Sequence, residues 1–350
     1  MPLNTFVFKA APNVSPDFDT LSGAEADLTA TGTIKITDSG VYNEKYIPKK
    51  DQILTWSAGQ TPTIGKTSGG GRGGIDLTDG GLGAGDTVTI IGPNDIDRMT
   101  VVMGTAATSR WLIGSTVSLD SASISNIIAK CQNDFATNAL WAFNGTKPLT
   151  ISKCRIENDS GSAASIIALG IQKQSGTNTV KIQNCEWVGF DGAVPNVALD
   201  IDKDSVVAQK SVQVLNNSFY NCKTGIRSDQ GGDFRNNAFG TITDDIELSG
   251  EASNGDFAFN VFGEQTDTGG FGTGNVFATD PVYVSPPADL KPGTGSPMID
   301  AGTDTSSDGV TDDFFGVSRP QPGGGTYDIG AHELVQAGGV GSQTQIILCD

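Results

Sequence analysis

Basic residues are scarce in this chain: 22 Lys and Arg stand against 40 Asp and Glu, a formal net charge of −18 over 350 residues. Nucleic acid is therefore not expected as a partner, because phosphate contacts need clustered Lys and Arg. Excess acid favours a soluble surface instead. Long apolar runs are also missing. None approaches the ~20 residues of a membrane span, so no membrane partner is expected. The opening Met1-Pro2-Leu3-Asn4-Thr5 lacks the basic region and apolar core of a secretion signal. The expectation is synthesis in a host cytoplasm, with the five cysteines reduced. Hydrophobic residues make up 37%, enough for a thin core and too few for a broad one.

Glycine is abundant, at 46 residues, well above the usual share of about 7%. It gathers in turns such as Gly69-Gly70-Gly71 and Gly323-Gly324-Gly325. Down the middle of the chain a pattern recurs: apolar, two residues, Cys or Asn, one residue, apolar or aromatic. Its copies are Ile151-Cys154-Ile156, Ile182-Cys185-Trp187, Val214-Asn217-Phe219, Phe234-Asn237-Phe239 and Phe257-Asn260-Phe262. Ile128-Cys131-Asn133 keeps the first two positions, and Ile91-Asn94-Ile96 fits the spacing despite Pro93. Spacings of roughly 20–50 residues mark a structural unit stacked on itself. The copies are β-rich, so the unit is one coil of a β-solenoid.

Stacked coils put equivalent side chains in columns. Ile128, Ile151, Ile182, Val214, Phe234 and Phe257 are expected in one, and Ile156, Trp187, Phe219, Phe239 and Phe262 in another. Each such burial contributes roughly 1.5–3 kcal/mol. Residues 131, 154, 185, 217, 237 and 260 should form a third column, an internal ladder. A buried carboxamide is costly unless bonded, and a column of them can donate and accept from coil to coil. Cysteine is a small hydrophobe that fits the same slot.

The expected fold is all-β: a single-stranded right-handed parallel β-helix. Residues 1–30 are read as an N-terminal extension and cap, with a short helix over 22–30 capped by Ser22 and Glu25. Residues 31–280 are read as coils, 281–335 as a closing segment and 336–350 as a tail. The apolar run 344–348 in that tail could add as a strand to the same or a neighbouring chain.

A resemblance enters at the closing segment. Leu290, Gly295-Ser296-Pro297-Met298-Ile299-Asp300-Ala301-Gly302, Phe315-Gly316 with Arg319-Pro320, and Tyr327-Asp328-Ile329-Gly330-Ala331-His332-Glu333 resemble the end of right-handed parallel β-helix proteins of the pectin-lyase-like superfamily. The resemblance implies the fold. It implies function poorly, because that fold serves lyases, hydrolases, adhesins and phage spikes alike. Hydrolases of the superfamily use a Gly-His-Gly. The one histidine here, His332, lies within the closing motif and reads as a structural hydrogen-bonding residue.

Three carboxylate groups are candidates for chemistry. Asp304, Ser306, Asp308 and Asp312 have most of the spacing of a calcium loop, with Phe315 where a bidentate Glu would stand. They are the candidate Ca2+ site. No other cofactor and no catalytic residue is expected. Alternation places Asp200, Asp202 and Asp204 on one strand face, a stripe that reads as solvated. Asp244, Asp245 and Glu247 could supply a glycosidase pair, but adjacent strand residues point oppositely. Trp56, Trp111, Trp141 and Trp187 are candidate sugar platforms, with Trp187 already in an internal column. The functional expectation is a non-enzymatic structural protein of a phage virion surface, a capsid decoration protein or tail spike. It would be a homotrimer bound to other virion proteins and to host surface polysaccharide. Two alternatives stay open: a polysaccharide lyase or glycoside hydrolase, and a secreted carbohydrate-binding adhesin.

Overall fold

A computed structural model of the chain describes residues 4–8, 32–43, 46–48, 51–65, 74–76, 86–103, 113–115, 121–131, 139–144, 148–158, 167–174, 179–192, 196–203, 211–229, 231–248, 256–264, 271–321 and 325–335. Three long sheets of ten, nine and seven strands are built by a chain that visits each sheet in turn and then starts again. Pairing between successive coils is parallel throughout, as between Leu149–Ser152 and Thr179–Gln183, then Thr179–Gln183 and Ser211–Leu215. This is a parallel β-solenoid. No α-helix occurs among the described residues.

Alternation along each strand sends one set of side chains inward, and parallel register stacks them. Ile151, Ile182, Val214, Phe234 and Phe257 form the expected first column. Ile156, Trp187, Phe219, Phe239 and Phe262 form the second. The aromatic members lie face to face. Phe234 and Phe257 have centroids 4.5 Å apart, and Phe219 and Phe239 are 4.8 Å apart. Offset stacking of this kind adds about 0.5–1.5 kcal/mol per pair to the burial itself.

Between the first and second sheets the chain turns on a two-residue corner. The first corner residue has positive φ: Asn126 (59°), Lys153 (53°), Asn184 (53°), Asn216 (56°), Asn236 (57°) and Phe259 (55°). Asparagine tolerates this left-handed conformation better than most L-residues. The second corner residue points inward and belongs to the ladder. Asn260 Oδ1 accepts from Asn237 N and Nδ2 at 2.9 and 3.1 Å. Asn237 Oδ1 accepts from Asn217 N and Nδ2 at 3.1 and 3.0 Å, and Asn217 Oδ1 from Cys185 N at 2.9 Å. Each carboxamide also donates back to a neighbouring coil: Asn237 Nδ2 to Val214 O, Asn260 Nδ2 to Phe234 O. The cysteines copy this second bond, with Cys185 Sγ donating to Ile151 O and Cys154 Sγ to Ile124 O. Their thiols are buried and not joined as a disulfide. Burial raises the Cys185 pKa and pushes Cys222 up to about 12.

Two expected copies are displaced. Ile124, not Ile128, pairs with Ile151, and Ile128 pairs with Arg155. Cys131 therefore sits in the second sheet opposite Asn158, and Ile127 follows the Asn126 corner in its place. The reason is that one apolar pair three residues apart, Ile124 and Ile127, spans this corner while another, Ile128 and Cys131, follows it, and only the left-handed Asn126 marks which is which. At 91–96, Asn94 shapes an exposed turn, its Oδ1 accepting from Ile96 N and Asp97 N. The ladder runs one step further than expected, because Asn275 Oδ1 accepts from Asn260 N and Nδ2.

At the start of the chain, Asn4–Phe8 pairs with Gly32–Ile36 as the first strand of the first sheet. The expected helix over 22–30 and the tail 336–350 lie outside the described residues. Asn237→Ala removes the acceptor of two donors and the donor to Val214 O in one step. With unsatisfied buried groups costing about 1–3 kcal/mol each, the variant should lose at least about 3 kcal/mol of unfolding free energy. Denaturant titration checks this; a loss under about 1 kcal/mol would contradict the ladder.

Candidate functional site

The described residues 280–321 and 325–335 do not add coils. They turn back and lie as a strap along the corner between the first and second sheets. The outward side chains of the corner residues hold it. Asn236 exchanges two hydrogen bonds with the Thr303 backbone, at 2.8 and 2.9 Å. Asn216 Oδ1 accepts from Thr305 Oγ1, and Asn184 Nδ2 donates to Asp312 O. Lys153 Nζ bridges Asp312 and Asp95 at 2.7 and 2.9 Å. As the strap advances, its partners recede toward earlier coils, ending where Arg98 Nη2 donates to Phe314 O. Its apolar underside, Tyr283, Leu290, Met298 and Ile329, covers Val188, Ala238 and Val261 on the wall.

The closing motifs stitch the strap to itself. Ser296 Oγ donates to Pro281 O, Asp300 N to Asp328 Oδ1, and Ile329 N to Met298 O. Arg319 is fully buried and donates to Asp328 O, Gly330 O and Glu333 Oε2. Burial pushes Glu333 up to about 7, against the pull of the Arg319 guanidinium.

One ionic cluster welds strap to wall. His332, 1% exposed, places Nε2 2.6 Å from Glu186 Oε1 on the second sheet. Arg155 Nη1 reaches Glu186 Oε2 at 2.7 Å, and its Nη2 donates to Pro287 O on the strap. Burial raises the Glu186 pKa, but His332 and Arg155 outweigh it and hold the group below the ordinary carboxylate value. Glu186 is a fixed anion, not a proton donor.

Beside this cluster the strap leaves part of the second sheet's outer face uncovered, forming a groove of about 640 Å³. Thr63, Thr100, Ile128 and Arg155 follow one another in register as its floor. Arg98, Phe314, Phe315, Asp289 and Lys291 line its sides. The Arg98 guanidinium lies 3.7 Å from the Phe314 ring centre, and Lys291 Nζ lies 4.9 Å from that of Phe315.

The residues singled out in the sequence lie elsewhere. Asp304 Oδ1 accepts from Ser306 N. Asp308 meets Arg235 and Gln213, while Asp312 meets Lys153. These donors face different partners rather than a shared centre. Among the described residues no three His, Cys, Asp or Glu side chains are grouped to hold a metal ion. Asp200 is gripped by Arg227 of the next coil, through bonds of 2.8 and 2.7 Å. Asp204 and the Asp202 side chain lie outside the described residues. Asp245 is buried and accepts from Glu264 N, whereas its neighbour Asp244 lies 3.9 Å from Lys223. Trp56 and Trp187 are core residues. Trp111 and the Trp141 side chain lie outside the described residues. The sequence reading missed Arg98, Arg155, Glu186 and Lys291, which no local motif connects. Comparison with protein-family models, curated proteins and solved structures finds no match.

The pH dependence follows from Glu186. A carboxylate with a lowered folded pKa contributes stability above its unfolded value of about 4.5 and loses it as pH falls through the lower folded value. Glu333, shifted upward, contributes in the opposite sense toward neutral pH. The comparison of wild type with Glu186→Gln isolates the first effect. Thermal melts should show the wild type losing more Tm than the variant between pH 6 and about pH 3.5. Parallel curves would contradict the weld.

Proposed function

We propose that this chain is a non-enzymatic structural protein of a phage virion surface, a capsid decoration protein in preference to a tail spike. The observation that supports the reading is the fate of the side chains best suited to chemistry. His332, Glu186, Arg319, Glu333, Asp308 and Asp312 are bonded into the joint between strap and wall. A general acid or base must exchange its proton within reach of substrate, and Glu186 is held as an anion by the Arg155 guanidinium and a hydrogen bond to His332. What this arrangement supplies is a stiff rod whose ladder, aromatic stacks and strap reinforce one another. That suits a particle surface exposed to an uncontrolled medium.

Several finer features belong to the same proposal. The coil winds right-handed, the sense strongly preferred by parallel strand connections. The chain belongs with the pectin-lyase-like superfamily, to which its closing motifs are similar. It assembles as a homotrimer, with residues 1–30 as a cap, and contacts other virion proteins. Light scattering on the purified chain should give three times the 36.2 kDa chain mass. Incubation with acidic and neutral polysaccharides, with and without Ca2+, should release neither reducing ends nor unsaturated products. A strict monomer at all concentrations would contradict the assembly, and turnover of any polysaccharide would overturn the non-enzymatic reading.

A further inference from the structure

We propose that the groove beside the end of the strap seats the chain's own residues 344–350, which extend the strap over the wall it leaves open. This goes beyond the structural role, which stands whether or not the tail docks. The first argument is where the strap ends. Ala238, Ser218 and Glu186 stand in register on the outward row of the second sheet. The last strap residues step along them. Gly330 lies against Ala238 and Ser218, Ala331 N donates to Ser218 Oγ at 2.9 Å, and His332 Nε2 lies 2.6 Å from Glu186 Oε1. The same row continues through Arg155, Ile128, Thr100 and Thr63, the groove floor, to Val41. The His332 ring centre is 5.3 Å from that of Phe315 on the groove's side. The described chain ends three residues later, at Val335.

The second argument is what the open wall leaves uncovered. Ser218 and Ala238 are fully buried under the strap, whereas Ile128, Thr100 and Thr63 are half-buried and Val41 is 66% exposed. Ile96, at 72%, and Phe315, at 38%, are exposed on the groove lining. Apolar surface gathered in this way marks a place for a partner. Beyond Val335 the chain holds one apolar cluster, Ile346-Ile347-Leu348. Asp350 is the one charged side chain there. The groove lining carries Arg98, Arg155 and Lys291 against Glu186 and Asp289, an excess of positive charge.

The third argument is reach. Residues 336–343 can span at most about 29 Å. The four coil steps from Arg155 to Val41 cover about 19 Å, at ~4.8 Å each. A segment tethered this closely meets the groove at an effective concentration on the order of mM. A neighbouring copy's tail in dilute solution does not reach that concentration, so the occupant is the chain's own.

Cys349 is the reporter, because it lies within the segment while Cys131, Cys154, Cys185 and Cys222 are buried. Alkylation of the native full chain, read at Cys349 by peptide mass spectrometry, should run at least about tenfold slower than in a free peptide of residues 344–350. Ile96→Asp, at an exposed position, should bring the rate to within about threefold of the peptide's. Circular dichroism reports whether the coils of that variant are intact. A disulfide needs Cβ atoms about 3.5–4.5 Å apart. Thr63→Cys or Thr100→Cys on the groove floor, oxidised at dilution with copper phenanthroline, should therefore join Cys349 within one chain. Val284→Cys, exposed on the strap and outside the groove lining, should not. Cys349 reacting at the peptide's rate, a rate unmoved by Ile96→Asp, no disulfide from either floor position, disulfides that link two chains, or equal capture by Val284→Cys would each overturn the proposal.

Discussion

The structure depends on a corner of two residues repeated from coil to coil. The first residue takes a left-handed conformation and points its side chain out; the second points in. Where both are asparagine, as at Asn216-Asn217 and Asn236-Asn237, one dipeptide does two jobs. Its inner carboxamide joins the coil to the next, and its outer carboxamide holds the strap. Burying such groups is favourable only because every ladder member finds partners above and below. The corner also sets register, since a one-residue slip would expose each apolar column. Lys153 shows what matters at the outer position. A non-asparagine there pays about 1–2 kcal/mol for the left-handed conformation, and Lys153 offsets this with ion pairs to Asp95 and Asp312.

The strap follows from that corner. A solenoid alone leaves the outward corner side chains in water and the outer wall partly apolar. Folding the strap back along this line satisfies both at once, through Thr303, Thr305 and Asp312 on the corner and through Leu290, Met298 and Ile329 on the wall. The strap reaches no further than Phe314 and Phe315, and the wall beyond them is where the groove opens. Rod, strap and groove are thus consequences of one repeated turn.

Much of the solenoid was legible in the sequence because its rules are local. Strand alternation and the fixed offset from Cys or Asn to an aromatic place Cys154, Cys185, Asn217, Asn237 and Asn260 correctly in one column. The same offset misplaced Cys131, since nothing in an apolar spacing tells which side of a corner it lies on. Cysteine standing in for asparagine is understandable after the fact: its thiol donates to the same carbonyl position. The strap and groove were not legible. Lys153 and Asp312, or Glu186 and His332, are joined by tertiary folding across 159 and 146 residues, and no periodicity links them. The run from Asp304 to Asp312 has calcium-like spacing because a tight turn places acids at short intervals, yet Asp308 and Asp312 face separate cations on the wall.

Hydrogen exchange measured residue by residue tests the corner most directly. The backbone N–H groups of Cys185, Asn217, Asn237 and Asn260, and the carboxamide protons of the three asparagines, should exchange only through global unfolding and share one protection free energy. Exchange of these protons at the rate of open turns, while neighbouring strand amides stay protected, would contradict a buried ladder.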